Sequence, residues 1–430
     1  MKKTYLINGR IIDPKNQVDE IGGLIIDEKG LIEASGKVVS NGNLPADSKK
    51  IDLKKKVLLP GLVDMRIFVG EPGYEYKENF RTLSNAALSG GVTSVVSMPN
   101  TNPVIDNVSM VDFLKRRGRD KSKINIFPAA SLTKNAEGKQ MTEFGLLKRK
   151  GIIAFTDGIK TIQDPQLMSR IMNFASQSDS LIMQHAEDNI LAKGGLINDG
   201  EISTRLGLQG IPSLAEKIIV ERDLSFLDEY FCRYHISQIS SKKTVLCIKK
   251  AKNEGKIFSA GVSINNLSLN ENDIGDFKTF LKLSPPLRTE DDRISLVEAV
   301  NDGTIDVIVS DHKPEDEESK RLTFGQAATG AAGIETLLPL ALELFHNKSI
   351  KLSNLIGAMT SNPAKILGIN KGSLDVGSDA DLCVLDVNKP WVVKKNELKS
   401  KSKNTPIENR NLQGQVLKTF IKGELLFDRV

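Results

Sequence analysis

The stretch Val57-Leu-Leu-Pro-Gly-Leu-Val-Asp-Met-Arg-Ile-Phe68 decides how this chain folds. Residues 61–68 form an apolar run with few interruptions, and Glu71-Pro-Gly73 after it is a turn sequence. A run of this kind, closed by a turn, reads as a strand buried on both faces, as in parallel sheets. Seven more runs follow, at 92–98, 124–129, 152–157, 181–185, 234–239, 257–264 and 305–311. Between most of them the apolar spacing changes to the helical period, over 78–88, 110–117, 165–176, 214–230, 242–253 and 291–301. Eight strand–helix alternations in about 250 residues predict a (β/α)8 barrel. The competing arrangement is a doubly wound open sheet, but no glycine-rich dinucleotide loop follows the first strand.

The two ends of the sequence have another texture. Short extended pieces broken by turns, such as Leu24-Ile-Ile-Asp-Glu-Lys-Gly-Leu-Ile32, recur after the barrel as Ala380-Asp-Leu-Cys-Val-Leu-Asp386 and Val416-Leu-Lys-Thr-Phe-Ile-Lys-Gly423. They predict a small β-sandwich domain composed of 1–55 and 366–430, flanking a barrel over 56–365. The 59 basic and 54 acidic residues are spread along the 430 positions, giving a net charge of +5. The densest basic cluster, Lys394, Lys395, Lys399, Lys401 and Lys403, has no interleaved aromatics. It reads as a solvated loop, and no nucleic-acid partner is expected. The N-terminal run is too polar for a signal peptide, and no window reaches the length of a membrane span. Cys232, Cys247 and Cys383 are odd in number and lie in apolar surroundings, which favours buried free thiols. A cytoplasmic protein without a membrane partner is the expectation.

An ordered set of motifs resembles the long, bacterial class of dihydroorotases among the cyclic amidohydrolases. Leu59-Pro-Gly-Leu-Val-Asp64, Glu71-Pro-Gly-Tyr-Glu-Tyr-Lys-Glu78 and Gly91-Val-Thr-Ser-Val-Val-Ser-Met-Pro-Asn-Thr-Asn-Pro103 resemble that family's first two strands and their loops. His185-Ala-Glu-Asp188, Pro285-Pro-Leu-Arg288, Asp302-Gly-Thr-Ile-Asp306, Ser310-Asp-His-Lys-Pro314 and Gly333-Ile-Glu-Thr336 follow in the family's order. Thr360-Ser-Asn-Pro-Ala-Lys365 and Gly372-Ser-Leu-Asp-Val-Gly-Ser-Asp-Ala-Asp-Leu382 complete the set. The resemblance covers nearly the whole chain and implies a barrel of amidohydrolase type.

It also implies a metal centre. The family holds its metal with a His-x-His pair ending the first strand, a bridging aspartate, two later histidines and an aspartate closing the eighth strand. Such ligands polarise the amide carbonyl and lower the pKa of the attacking water. In this chain the pair falls on Arg66 and Phe68, and the bridging aspartate on Gly158, with Asp157 one residue away. Guanidinium and phenyl groups offer no lone pair to an ion. His185, His235 and Asp311 match the remaining ligand positions, and Asp311 is also the counterpart of the family's acid–base carboxylate.

On the substrate side Asn100 is kept, whereas Gly70, Ser284 and Glu315 stand where the family has an arginine, an asparagine and a histidine. Asn265 and Asn266 replace a His-His pair found in many relatives, and only four histidines occur in all. His346, near a helix end, reads as a surface or capping residue.

The expectation is therefore a metal-site-deficient dihydroorotase homologue, with no cofactor, that keeps its fold for a structural task. The resemblance implies aspartate carbamoyltransferase as its partner, in a homo- or hetero-oligomer. The alternative is an active cyclic amidohydrolase with zinc on a reduced site of His185, His235 and Asp311. A third reading is a metal-free site for a small anion, held by Arg66 and Lys160. In the absence of a metal, Arg66 is expected to occupy the vacated position and pair with Asp311, with Lys160 assisting.

Overall fold

A computed structural model describes residues 2–39 and 48–429; Met1, Val430 and 40–47, part of the expected 1–55 unit, lie outside the described residues. Eight parallel strands follow one another in chain order around a barrel: Leu62–Ile67, Val92–Ser97, Asn125–Ala130, Ala154–Phe155, Leu181–Gln184, Arg233–Ile236, Ser259–Ser263 and Val307–Val309. Each matches an apolar run of the sequence. A parallel bridge between Ile67 and His312 closes the ring, with the Phe68 N–H donating to the His312 carbonyl at 2.9 Å.

The intervening helices start where the sequence supplies caps. Asn79 accepts from Arg81 and Thr82 N–H at the head of Phe80–Ser89, and Thr289 with Asp292 forms a capping box for Glu290–Asn301. Asp164 caps Pro165–Ser178, whose proline takes the first turn, where no amide donor is missed. Val95, Phe155, Ile182, Ile236 and Val262 from the strands pack with Leu83, Leu114, Ile171 and Ile248 from the helices. Packing on this scale fixes the strand ends, and with them whatever side chains the C-terminal rim carries.

The terminal segments form one hydrogen-bonded sheet beside the barrel. Its spatial order is Glu424–Asp428, Asn411–Ile421, Leu382–Val392, Val57–Pro60, Thr4–Asp13, Val18–Ile26 and Ile32–Gly36, with Lys49–Asp52 paired alongside Thr4–Asp13. Leu6, Ile11, Leu24, Leu58, Val384 and Phe420 supply its core. Two details depart from the boundaries expected of the sequence. Val57–Pro60, assigned to the barrel segment, belongs to this sheet, because it pairs with Arg10 and Ile11 on one side and with 382–385 on the other.

In the lysine-rich segment Lys394, Lys395, Lys399 and Lys401 are exposed, as expected of a solvated loop; the second departure is that residues 398–405 cross back over the barrel rim, burying Ser400, Ser402, Asn404 and Thr405. Glu78 accepts from the Ser400 hydroxyl and the Lys401 N–H, and Glu335 accepts from the Lys399 and Ser400 amides at 2.7 and 3.0 Å. Two carboxylates, Glu78 buried and Glu335 half-buried, provide the acceptors that the strap's backbone needs.

All three cysteines are free thiols, Cys383 buried and the other two half-buried. No helix of the described residues is long and apolar enough to cross a membrane.

Candidate functional site

Alternation along Leu62–Ile67 gives Asp64 and Arg66 the same face of the first strand. The Asp64 carboxylate accepts from the Arg66 N–H at 3.0 Å and from the Ser310 N–H at 3.1 Å, so it bridges the first and eighth strands at the seam. Burial pushes this carboxyl up to about 6, against the pull of its Ser310 and Arg66 donors.

Arg66 is only 1% exposed. Its Nε donates to Asp311 Oδ1 at 3.1 Å and its Nη1 to the Gly158 carbonyl at 3.3 Å, while Nη2 has no partner. The pairing with Asp311 expected from the sequence is present, through one nitrogen and not two. Phe68 lies against the guanidinium, ring centroid to Cζ 5.3 Å, and the Lys313 ammonium is 6.0 Å from the same ring. Asp311 itself has φ of +49°, a left-handed backbone that a buried non-glycine residue adopts only under constraint. Lys160, expected to assist, instead donates to the Ala136 carbonyl at 2.9 Å.

Gly158 is fitted to its neighbours. Its φ is +67°, and a Cβ built there would lie 1.4 Å from Asn100 Oδ1. Asn100 uses its Nδ2 on the Asp157 carbonyl at 3.0 Å. The Asp157 carboxylate, the other candidate for a bridging ligand, accepts from Thr133 N–H at 3.0 Å and from the Thr133 hydroxyl, and burial raises it to about 6. It is committed to holding its loop.

His185 Nε2 is 3.5 Å from Ser284 Oγ, and His235 Nδ1 is 2.8 Å from Ser259 Oγ. The remaining ring nitrogens, His185 Nδ1 and His235 Nε2, are buried without partners. Burial, reinforced by the Arg66 charge, holds both imidazoles down at about 3, with Lys313 adding to the effect on His185. Glu315 faces Lys77 at 2.6 Å and Lys313 at 3.6 Å. Asn266 donates to the Pro286 carbonyl at 3.1 Å, and Asn265 Nδ2 is unpartnered. His346 sits at a helix end, as expected, and its Nε2 is 3.0 Å from the Val387 carbonyl.

Two residues of this neighbourhood escaped the sequence reading. Lys313, two positions past Asp311, brings a second cation to the Phe68 ring, and its spacing alone was the available signal. Glu78 lies 3.5 Å from His312 Nε2, while His312 Nδ1 accepts from Gly333 N–H at 3.2 Å.

The donors present do not fit a divalent ion. Among the described residues no three His, Cys, Asp or Glu side chains are grouped so as to hold one. Asp311 is bound instead to a guanidinium whose positive field reaches both imidazoles. A cation there would meet direct repulsion.

Along the whole chain the sequence is 42% identical to a dihydroorotase of Syntrophus aciditrophicus, covering 99% of each, and 38% identical to one of Ehrlichia canis, covering 99% of this chain and 95% of that protein. The chain belongs to the dihydroorotase family. A family model described as "Dihydro-orotase-like" matches residues 55–244. Among solved structures, L-hydantoinase (dihydropyrimidinase) from Arthrobacter aurescens superposes with a TM-score of 0.88 at 24% identity, covering 100% of this chain and 96% of that one. Dihydropyrimidinase from Brevibacillus agri gives 0.84 at 21% identity, covering 99% and 95%. These likenesses establish the fold of this dihydroorotase-family chain, and the chemistry at the rim has to be argued from its own residues.

The neutral imidazoles make acid stability a direct readout of this site. A histidine titrates near 6.5 when unfolded and about 3 here, so between those values the unfolded state binds more protons and stability falls on acidification. Asp64 and Asp157, raised from 3.8 to about 6, act in the opposite sense between those values, but their shifts are smaller. His185→Gln is expected to flatten the acid limb of urea-unfolding free energy by about 3 kcal/mol between pH 7 and pH 4. Parallel limbs for parent and variant would rule out a neutral buried imidazole.

Proposed function

We propose that this chain is a dihydroorotase homologue without metal-dependent hydrolase activity, and that it serves as a structural partner of aspartate carbamoyltransferase. The observation that carries the first part is Arg66 bonded to Asp311, where the family's pattern calls for metal-binding imidazoles. The changed residues support one another. Gly158 offers its carbonyl to Arg66, Phe68 lies against the guanidinium, and Glu315 is held between two lysines. The partner is implied by the family resemblance alone; a scaffold that keeps its strands, caps and turns supports a structural task.

The test is hydrolysis of dihydroorotate by purified protein loaded with zinc. No turnover above the Asp311→Ala control is expected, and Arg66→His with Phe68→His is not expected to restore it. The partnership is tested by mixing the chain with aspartate carbamoyltransferase from the same organism; co-elution at a defined stoichiometry is expected. An interface of standard size, roughly 1,600 Å² in total, would suffice.

One observation favours a second reading, an active enzyme that opens a cyclic amide. His185 Nδ1 and His235 Nε2 are both uncommitted, and a reduced zinc set would need Asp311 released from Arg66 as its third group. Turnover that is lost with a chelator and with Asp311→Ala would establish that reading and overturn the first.

A further inference from the structure

We infer that the barrel rim binds a small oxyanion, anchored by the free Nη2 of Arg66 with Lys313 and the His185 imidazole beside it. The inference rests on the metal-free reading of the site and adds a ligand class to it. Three observations converge on the same few side chains.

The first is the unsatisfied donor. A guanidinium carries five N–H donors and is always charged. Asp311 and the Gly158 carbonyl engage Nε and Nη1, and Nη2 is left buried without an acceptor. Leaving such a donor unpaired is costly, so native structures rarely do so without a purpose.

The second is the sign of the field. Arg66 and Lys313 both act on His185 as positive charges, and Arg66 and Lys252 act likewise on His235. A cation is repelled from this space and an anion is attracted to it. Neutral imidazole can present an N–H at its uncommitted nitrogen, so His185 Nδ1 is a second donor. Lys313 spends one proton on the Thr329 carbonyl at 2.6 Å and has two more.

The third is access. The Asp311 side chain is 10% exposed, and Asn100, Ser284 and Lys313 are half-buried. Solvent therefore reaches Asp311, the partner of the buried guanidinium, from the rim. Asp311 and Glu315 already offset part of the positive charge, which favours a ligand of low charge such as a carboxylate over a fully ionised phosphate.

The experiment is isothermal titration calorimetry of the full chain, freed of metal with a chelator and then dialysed, at constant ionic strength. Acetate, formate and inorganic phosphate are the probes. Saturable one-to-one binding is expected for acetate or formate, weakened about tenfold in Lys313→Met, the scale of one hydrogen bond to a charged group. Binding should vanish in Arg66→Gln; should that variant fail to fold, Lys313→Met still decides. Binding of phosphate alone, equal affinity in Lys313→Met and parent, or no saturation by any probe up to about 10 mM would overturn the inference. Absence of binding with zinc-loaded protein still inactive would remove the oxyanion site and leave the metal-free reading standing. Turnover with zinc would remove both.

Discussion

Arg66→Ala should lower the unfolding free energy by about 3–5 kcal/mol, the cost of removing one side of a buried ion pair. The size follows from what the substitution abandons. Asp311 loses its cation while still buried, the Gly158 carbonyl loses a donor, and Phe68 loses the guanidinium that packs against it. Urea unfolding at neutral pH is the measurement. Arg66→Ala combined with Asp311→Ala should cost less than the sum of the two single changes, because the second removes the carboxylate that the first strands. Strict additivity would show that the two side chains do not depend on each other.

Gly158→Asp should cost about 2–4 kcal/mol, even though it restores the family's residue type at that position. The backbone there is left-handed, and the new Cβ would fall within bonding distance of Asn100 Oδ1. Asn100 would have to leave the Asp157 carbonyl, releasing a loop that Asp157 and Thr133 hold. Asn100→Ala made in the same chain should recover part of the loss. Thermal unfolding of the two single variants and the double variant reads this directly; a tolerated Gly158→Asp would mean that the 156–160 loop relaxes freely. Reversion of this centre thus meets resistance one residue at a time.

The barrel was legible because its signal is local. Short, largely apolar stretches such as 92–98 and 181–185 read as strands covered on both faces, and they appear as such. The altered ligand positions were legible for the same reason: Arg66 and Phe68 have the right spacing and the wrong chemistry. What was not legible depends on partners hundreds of positions apart. Nothing near Asp64 announces that it accepts from Ser310, 246 positions away, or that Glu78 holds Ser400 across 322. Lys160 was expected beside Arg66 and Lys313 was not, and only the fold puts Lys313 beside Phe68 and Lys160 on the Ala136 carbonyl. The helix Leu337–His346 was marked in the sequence only at its end, by His346, because it is buried over most of its surface.

The seat of Val57–Pro60, between Thr4–Asp13 and Leu382–Val392, has a consequence for synthesis. On the ribosome the first sixty residues emerge long before their neighbours in the sheet exist, so the edge presented by Val57–Pro60 waits through translation of the entire barrel. During that interval it is an open pairing template, the kind of edge that recruits the wrong chain. A nascent chain halted before residue 382 should therefore be more prone to aggregate than its length suggests, with the fault in its N-terminal portion.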